Sequence, residues 1–261
     1  GLFTRDTLEY REPFFGAGAV GFRILDSLNP KNSLWLNDLD YRVVCLWKSV
    51  YEAPEELCSC ITKFLPSTDI FYKFKEEDDR RNLDVVETGF RKLVLHQTSF
   101  SGLGVKAGGP IGGRRQSSEY NVECRWNPTQ LRKDIISRHE NLKRFSNVRI
   151  TCKDFSLLVK DAPKHAFIYA DPPYFEKGAN LYKHSMTKLD HHRLASMLRS
   201  CRASCVLSYD DHPQIRDLYS WAIVEGIEFT YTMAIAHEKR RKNSEIIISP
   251  VKCAATASRA I

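Results

Sequence analysis

An uncharged run of five residues, Ala166-Phe167-Ile168-Tyr169-Ala170, most constrains the fold because it leads directly into Asp171-Pro172-Pro173-Tyr174. The run predicts a buried strand, and the two prolines cannot continue the hydrogen bonding of a sheet. The sequence therefore places a carboxylate at the carboxyl end of a strand, with an aromatic ring close by. In open α/β sheets this edge is where ligands bind.

The groups of this tetrapeptide suit the alkylation of an exocyclic amine such as N6 of adenine. The lone pair of that amine is delocalised into the ring, so the nitrogen is a poor nucleophile until two acceptors take its hydrogens. Asp171 offers a carboxylate and Pro172 a carbonyl, and neither Pro172 nor Pro173 has an N–H to interfere. Tyr174 offers a flat face for an extruded base. The alternative is a plain turn at a strand end, which Asp-Pro commonly starts.

A glycine-rich turn near the start of the chain predicts a second ligand-binding strand end. A predicted strand over 8–15 is followed by Gly16-Ala17-Gly18-Ala19 and an apolar helix to about Leu28. Small residues at such a turn let the backbone approach a ligand. Asp38 ends the next predicted strand, 33–37, at the spacing from which an acid reaches the ribose of a nucleotide. A helix N-cap is the alternative role for Asp38.

The middle of the chain changes character twice. We expect helical structure over 40–65 and a mostly helical, charge-rich segment over 66–100. From 98 to 127 the chain is rich in glycine and basic residues, and a loop of this length is usually functional or disordered. Arginine on such a loop suits phosphate contacts. The candidates for DNA contact here are Ser101, Lys106, Arg114 and Arg115.

The rest of the chain continues the alternation of helices and strands. A predicted helix over 128–145 and a strand over 147–151 precede Asp154 and Phe155, an acid and an aromatic that suit the adenine ring of a cofactor. The alternative for Phe155 is ordinary core. We then expect helices over 188–200 and 213–219, a strand over 204–208, and a hairpin of strands 222–230 and 245–249. The basic cluster that joins the hairpin strands includes Lys239, Arg240 and Arg241.

Composition narrows the class of protein. The 261 residues predict one large domain, or one domain with an inserted lobe. No long apolar stretch or signal peptide is evident, and a formal net charge of +7 suits a polyanionic partner. Eight cysteines without a CxxC pair predict reduced thiols in a cytoplasm and no zinc site. We place His191 and His192 on a helix surface, where neighbours make a poor metal pair.

Taken together, the motifs resemble the Dam-like class of adenine-N6 DNA methyltransferases. The stretch from Glu12 to Gly18 matches the cofactor motif of that class, and Asn37-Asp38 matches the acid that follows it. Asp171-Pro172-Pro173-Tyr174 matches the catalytic motif, and 241–248 is similar to the closing strand. Ser208-Tyr209-Asp210-Asp211 is similar to the penultimate motif. The order of the motifs is also that of the family.

The resemblance implies S-adenosylmethionine as methyl donor, double-stranded DNA as substrate and base flipping by a monomer. It implies a Rossmann-like seven-stranded α/β sheet with helices on both faces. We expect a catalytic domain of 1–65 and 141–261, and a mostly helical DNA-recognition lobe of 66–140. The implied setting is the cytoplasm of a bacterium, or a phage, and restriction-modification. Implied cofactor residues are Phe14, Gly16, Ala17, Gly18, Asp38, Asp154 and Phe155; implied catalytic residues are Asp171, Pro172, Pro173 and Tyr174.

The chain departs from the family at two places. The residues before the first predicted strand do not match the Trp-x-Gly-Gly-Lys-like segment that helps to close over the cofactor. GATC readers carry Asn-Gly-Leu-x-Arg, whereas this chain has Ser101-Gly102-Leu103-Gly104-Val105, so the target sequence stays open. Three alternatives also stay open: a catalytically silent nucleic-acid-binding relative, a glutamine-N5 protein methyltransferase, and RNA as substrate.

Overall fold

A seven-stranded sheet forms the centre of the computed structural model, which describes residues 7–76, 84–100, 109–175, 185–229 and 243–250. The strands are β1 Glu9–Glu12, β2 Ser33–Asn37, β3 Asn147–Thr151, β4 Ala166–Ala170, β5 Ser204–Asp210, β6 Ala222–Phe229 and β7 Asn243–Pro250. Their spatial order is β3-β2-β1-β4-β5-β7-β6, and β7 runs antiparallel to both of its neighbours. The predicted seven-stranded α/β sheet with its closing hairpin is confirmed.

Helices cover both faces of this sheet. They are α1 Ala19–Leu25, α2 Tyr41–Glu52, α3 Pro54–Lys63, α4 Thr68–Glu76, α5 Val85–Thr98, α6 Pro128–Lys143, α7 Ser156–Lys160, α8 Lys188–Ser200 and α9 Pro213–Leu218. The prediction of helical structure over 40–65 is confirmed, and it is divided into two helices because Pro54 lacks an N–H and starts a new helix after Ala53. The first strand ends at Glu12 because Pro13 follows it, and the short helix α7 was not predicted.

The two faces of the sheet carry separate hydrophobic clusters, as the alternation along β4 requires. Phe167 and Tyr169 belong to what we call the first cluster, which also holds Phe22 and Trp47. Ala166, Ile168 and Ala170 belong to the second cluster, with Phe155, Leu194 and Tyr209. Residues that are far apart in the chain therefore meet on the same face of the sheet, in one cluster or the other.

The described helices of the predicted recognition lobe, 66–140, pack into the first cluster. Phe71, Phe90 and Leu131 lie in it together with Tyr10 and Leu34 of the sheet. Helix α5 packs against α2, and α6 packs against α2 and α3. These helices therefore share a core with the sheet, and the division of the chain into two units stays a prediction.

His191 is buried rather than on a helix surface, so that prediction is wrong. Helix α8 turns His191, Leu194 and Leu198 inward, and the Nδ1 of His191 lies 2.8 Å from the hydroxyl of Tyr209. Among the residues that the structure describes, no group of His, Cys, Asp and Glu side chains is placed to hold a metal ion. In the same part of the chain, no helix has the length and apolar character needed to cross a bilayer.

Candidate active site

A cavity of about 590 Å³ opens at the carboxyl ends of β1, β2, β3 and β4. Its volume is in the range of small-molecule and cofactor sites. The segments that follow the four strands all contribute to its wall, as expected for parallel strands whose ends meet at one edge. Nine of the predicted site residues line it together: Phe14, Gly16, Ala17, Gly18, Asp38, Asp154, Phe155, Asp171 and Pro173.

The glycine turn is held in a conformation that needs small residues. Gly16 and Gly18 have φ of 49° and 70°, in the left-handed region. A Cβ on Gly18 would lie 2.9 Å from the ring of Phe22, so a side chain there would collide with α1. The Nε1 of Trp47 donates to the carbonyl of Gly16 over 2.8 Å. The sequence thus keeps the backbone exposed to the cavity at this turn.

Asp38 uses both carboxylate oxygens to hold backbone around the cavity. Its Oδ2 accepts the N–H of Gly16, and its Oδ1 accepts the N–H of Asp40, each over 2.8 Å. Burial raises the pKa of Asp38, and these two hydrogen bonds oppose the rise. Because each oxygen has a second lone pair, the half-buried carboxylate can still accept hydroxyl groups of a ligand.

Asn37, the residue before this acid, ties three strand ends together. Its amide nitrogen donates to the carbonyls of Pro13 and Lys153, over 3.0 and 2.9 Å. Its amide oxygen accepts the hydroxyl of Thr151 and the N–H of Lys153. The side chain is fully buried and satisfied, so it fixes the relative positions of the loops after β1, β2 and β3.

Asp154 and Phe155 form the wall of the cavity beside the second cluster. The rings of Phe14 and Phe155 are 5.6 Å apart, and the guanidinium of Arg193 lies 4.5 Å over Phe155. Arg193 also donates to Asp154 over 2.8 Å. Partial burial would raise the pKa of Asp154, but hydrogen bonds from Ser156 and Arg193 outweigh it and lower the pKa. The result is an aromatic wall of two rings tilted by 35°, with a charged pair packed against Phe155.

Asp171 is held by one oxygen and open at the other. The hydroxyl of Ser208 donates to its Oδ1 over 2.8 Å, and Ser208 is in turn 2.8 Å from the hydroxyl of Tyr169. No other described residue hydrogen-bonds the carboxylate, which is open to the cavity. Loss of hydration at the base of the cavity raises the pKa of Asp171 to about 6. The negative charge of Glu245 adds to this rise, and the hydrogen bond from Ser208 opposes it.

Of the other residues of the DPPY segment, Pro173 lines the cavity beside this carboxylate. Pro172 is buried, and neither Pro172 nor Tyr174 is part of the cavity wall. The hydroxyl of Tyr174 donates to Glu245 over 2.7 Å, and the N–H of Phe175 donates to Asp210 over 3.0 Å. Strands β5 and β7 therefore fix the chain that leaves the cavity.

Several residues of the site carry no predicted role. Glu12 lines the cavity and is buried, and it accepts the hydroxyl of Tyr10 over 2.6 Å. Burial and the charges of Asp171 and Asp38 raise its pKa, although the Tyr10 bond opposes them. Glu12 stands inside the matched cofactor motif, which was the available signal. Glu245 lies in the stretch that is similar to the closing strand, and nothing in the sequence marked Lys92, Arg138 and Arg193.

The predicted DNA-contacting residues fall in different places. Arg114 and Arg115 are exposed on a turn, and Arg114 lies 5.2 Å over the ring of Tyr72. Gln116, with φ of 48°, organises this turn by donating to Ile111 and accepting from Val122. Outside the described residues lie Ser101, Lys106, Lys239, Arg240 and Arg241.

Comparison with known proteins agrees with this geometry. A family model described as D12 class N6 adenine-specific DNA methyltransferase matches residues 3–233. The type II methyltransferase M1.LlaDCHI of Lactococcus lactis subsp. cremoris is 26% identical over 253 residues, covering 91% of this chain and 84% of the relative. M.MjaIII, a type II methyltransferase of Methanocaldococcus jannaschii, is 26% identical over 197 residues, which are 70% of this chain and 64% of the relative.

A solved structure of a proposed methyltransferase from Thermoplasma acidophilum overlaps 93% of this chain and 66% of its own. The two are 11% identical and superpose with a TM-score of 0.36. That likeness is too low to bear on the fold, which rests on the sheet itself.

Proposed function

The chain belongs to the D12 class of N6 adenine-specific DNA methyltransferases, and we propose that its cavity binds S-adenosylmethionine beside a target adenine flipped out of double-stranded DNA. The family match and the type II relatives identify a site-specific DNA adenine methyltransferase. The observation that carries the assignment of the active site is Asp171, whose second oxygen is open to a cavity lined by the cofactor motif.

The cavity suits a cationic, adenine-bearing methyl donor. Glu12, Asp38 and Asp171 place three carboxyl groups in its wall, which favours a positive charge between them. Phe14 and Phe155 offer apolar faces for a purine, and Asp38 has lone pairs left for ribose hydroxyls. When bound, S-adenosylmethionine supplies an electrophilic methyl group on a sulfonium. We assign Gly16, Ala17 and Gly18 to the backbone that lies against its methionine part.

The chain's own groups act on the target amine. The open oxygen of Asp171 accepts one hydrogen of N6, and the carbonyl of Pro172 accepts the other, so that the nitrogen lone pair is released towards the methyl carbon. Ser208 fixes Asp171 in this orientation. With a pKa of about 6, Asp171 is a carboxylate at neutral pH and can accept a hydrogen bond. After transfer the amine is cationic and loses its proton readily.

Tyr174 is proposed as the ring on which the flipped adenine stacks. Its hydroxyl donates to Glu245, which fixes the position of the hydroxyl end of the ring. Base–aromatic stacking is typically worth about 1–3 kcal/mol by alanine substitution. That is enough to offset part of the cost of removing a base from the duplex.

The test is transfer of labelled methyl from S-adenosylmethionine to unmethylated DNA, with N6-methyladenine mapped by position. We expect transfer by the wild type and by Asp161→Ala, an exposed acid outside the cavity, and none by Asp171→Ala. The positions of the product would give the target sequence. Equal turnover by Asp171→Ala would contradict the catalytic assignment, and single-stranded RNA as a parallel substrate would separate DNA from RNA methylation.

Arg114 and Arg115 are proposed to contact DNA phosphates from their exposed turn. Removal of one cation that binds a phosphate should reduce the salt slope of binding by about 0.9. We therefore expect the double change to Gln to weaken DNA binding at low salt and to flatten its salt dependence. Arg199 and Arg202, also exposed and close to the amino end of β5, are the matched control pair. An unchanged slope would remove the turn from the DNA-binding surface.

We also propose that a monomer works in the cytoplasm, where DNA is accessible. The seven cysteines in the described residues form no disulfide with one another, in keeping with a reducing compartment. Light scattering with and without DNA measures the number of copies in the active species.

A further inference from the structure

Four cationic side chains line the cavity, and they differ in whether a carboxylate pairs with them. Lys92 is paired with Asp40 over 2.8 Å. Arg193 is paired with both Asp154 and Asp190, over 2.8 and 3.2 Å. Lys153 is exposed. Arg138 is half-buried, and among the described residues it has no carboxylate within ion-pair distance. A cation inside the wall without a counter-charge suits an anionic group of a ligand.

Helix α6 and two aromatic rings hold Arg138 in place. Leu131 and Ile135, on the same face of α6, are buried and also line the cavity. The guanidinium lies 4.4 Å from the ring centre of Phe22 and 5.9 Å from that of Trp47. Such stacking holds the guanidinium plane and leaves its N–H groups available at the edge.

The acid nearest along the helix does not neutralise Arg138. Asp134 lies one turn earlier and also lines the cavity. Its Oδ1 accepts the side-chain amide of Gln130 over 2.8 Å, and it forms no ion pair with Arg138. The guanidinium therefore keeps a positive charge to offer to the cavity.

The position of Arg138 identifies the part of the donor it can reach. Phe22 and Trp47 pack on Phe15, and Trp47 binds the carbonyl of Gly16, so Arg138 lies beside the glycine turn over the first cluster. Phe155 belongs to the second cluster, at the other face of the sheet. A donor with its adenine at Phe155 and its ribose at Asp38 extends its amino-acid end towards the glycine turn.

We propose that Arg138 binds the α-carboxylate of S-adenosylmethionine and so selects donors that carry one. The planar guanidinium matches a carboxylate through two parallel N–H···O bonds. This assignment rests on the proposed function, because it presumes S-adenosylmethionine in the cavity. A DNA phosphate offers the same anionic chemistry, so the test must separate the two sources.

The experiment measures the Kd of S-adenosylmethionine, of decarboxylated S-adenosylmethionine and of unmethylated DNA by calorimetry, for wild type, Arg138→Gln and Lys133→Gln. Lys133 is an exposed cation on the same helix and outside the cavity wall. We expect the wild type and Lys133→Gln to prefer the carboxylated donor by about 10- to 100-fold. In Arg138→Gln this preference should be lost, through weaker binding of the carboxylated donor alone. Arg138→Lys should recover part of the preference, since it restores the charge without the fork.

Four results would overturn the assignment in different ways. Equal weakening of both donors in Arg138→Gln would make Arg138 a support for the aromatic rings only. An intact donor preference with weaker DNA binding would assign the residue to a phosphate. A wild type that binds both donors alike would refute the carboxylate contact even if Arg138→Gln failed to fold. A wild type that binds neither donor would refute the proposed cofactor itself.

Discussion

Asp38 and Asp171 stand at the ends of strands β2 and β4, yet the protein treats the two carboxylates in opposite ways. Both oxygens of Asp38 accept backbone N–H groups, from Gly16 and Asp40. Asp171 receives a single hydroxyl, from Ser208, and its other oxygen is open to the cavity. Burial raises the pKa of both acids, but backbone donors oppose the rise at Asp38, and a side-chain hydroxyl opposes it at Asp171.

The difference separates an acid that organises the site from an acid that reacts in it. A carboxylate with both oxygens bound to backbone N–H groups holds two loops together, and a ligand adds to bonds that already exist. A carboxylate with one oxygen open has unmet hydrogen-bonding capacity that only a substrate completes. The charge of Glu245 increases the cost of ionising Asp171, so this acid gives the fold no stability in return.

The largest effect should come from removing the reacting acid. Asp171→Ala should lower the rate of methyl transfer by about 10³-fold or more, because it removes the carboxylate that stabilises the positive charge developing on the amine. The Kd of S-adenosylmethionine should change little. Asp171→Asn keeps an acceptor oxygen without the charge, so its rate of methyl transfer should lie between those of the wild type and Asp171→Ala. Single-turnover kinetics measure the rate, and calorimetry measures the Kd.

The two acids should also differ in their effect on stability. The folded-state pKa of Asp171, about 6, lies above the usual value for an aspartate. The ionised carboxylate therefore destabilises the fold increasingly as pH rises from about 4 to 6, and fully above that range. Asp171→Asn should keep or raise the free energy of unfolding at pH 7.5 in urea. A clear loss of stability would mean that Asp171 organises the site as Asp38 does.

The organising acid should show the reverse pattern. Asp38→Ala leaves the N–H groups of Gly16 and Asp40 without their acceptor, so it should lower the free energy of unfolding by about 1–3 kcal/mol. S-adenosylmethionine should bind about 10- to 100-fold more weakly, or 1.4 to 2.8 kcal/mol. Urea titration measures the free energy of unfolding, and calorimetry measures the Kd of S-adenosylmethionine. Unchanged donor affinity with lowered stability would restrict Asp38 to holding the backbone of Gly16 and of Asp40, the N-cap of α2.

The comparison also explains which parts of the site were predictable. The strand before Asp171 is apolar and ends at prolines, and the glycines before Asp38 have a characteristic spacing, so local sequence placed both acids. Both features depend on residues that are neighbours in the chain, and local rules describe them. The seven-stranded sheet was implied by the resemblance to the methyltransferase class and not by those rules.

The partners of the two acids were not predictable in the same way. Ser208 is 37 residues from Asp171, and Glu245 is 71 residues from Tyr174. They meet because β5 and β7 are placed beside β4 in the sheet, which depends on tertiary packing. Arg138 reaches the cavity only through the packing of α6 on α2 and α3. The surface position predicted for His191 was wrong for the same reason, because tertiary packing buries the helix face on which this polar residue lies.

A smaller effect should follow from removing the hydroxyl that holds the reacting acid. Ser208→Ala takes away the donor that lowers the pKa of Asp171, so that pKa should rise above 6. Activity requires the carboxylate, so the acid limb of the rate profile should move to higher pH, by roughly 0.7 of a pH unit for a bond of 1 kcal/mol. The rate constant between pH 5 and 9 measures it. A uniform loss without movement of the limb would show that Ser208 only shapes the pocket.

The smallest effect should come from Glu245, and it should have the opposite sign. Glu245→Gln keeps an acceptor for the hydroxyl of Tyr174 but removes the negative charge that raises the pKa of Asp171. The acid limb should therefore move to lower pH, while the Kd for DNA stays near that of wild type. Glu225→Gln, the same change at an exposed acid of the neighbouring strand β6, is the control and should not move the limb. Opposite shifts in Ser208→Ala and Glu245→Gln would establish that Asp171 titrates as a carboxylate acceptor between these two groups. Shifts of the same sign would mean that the limb reports another group, and the contrast with Asp38 would then rest on stability alone.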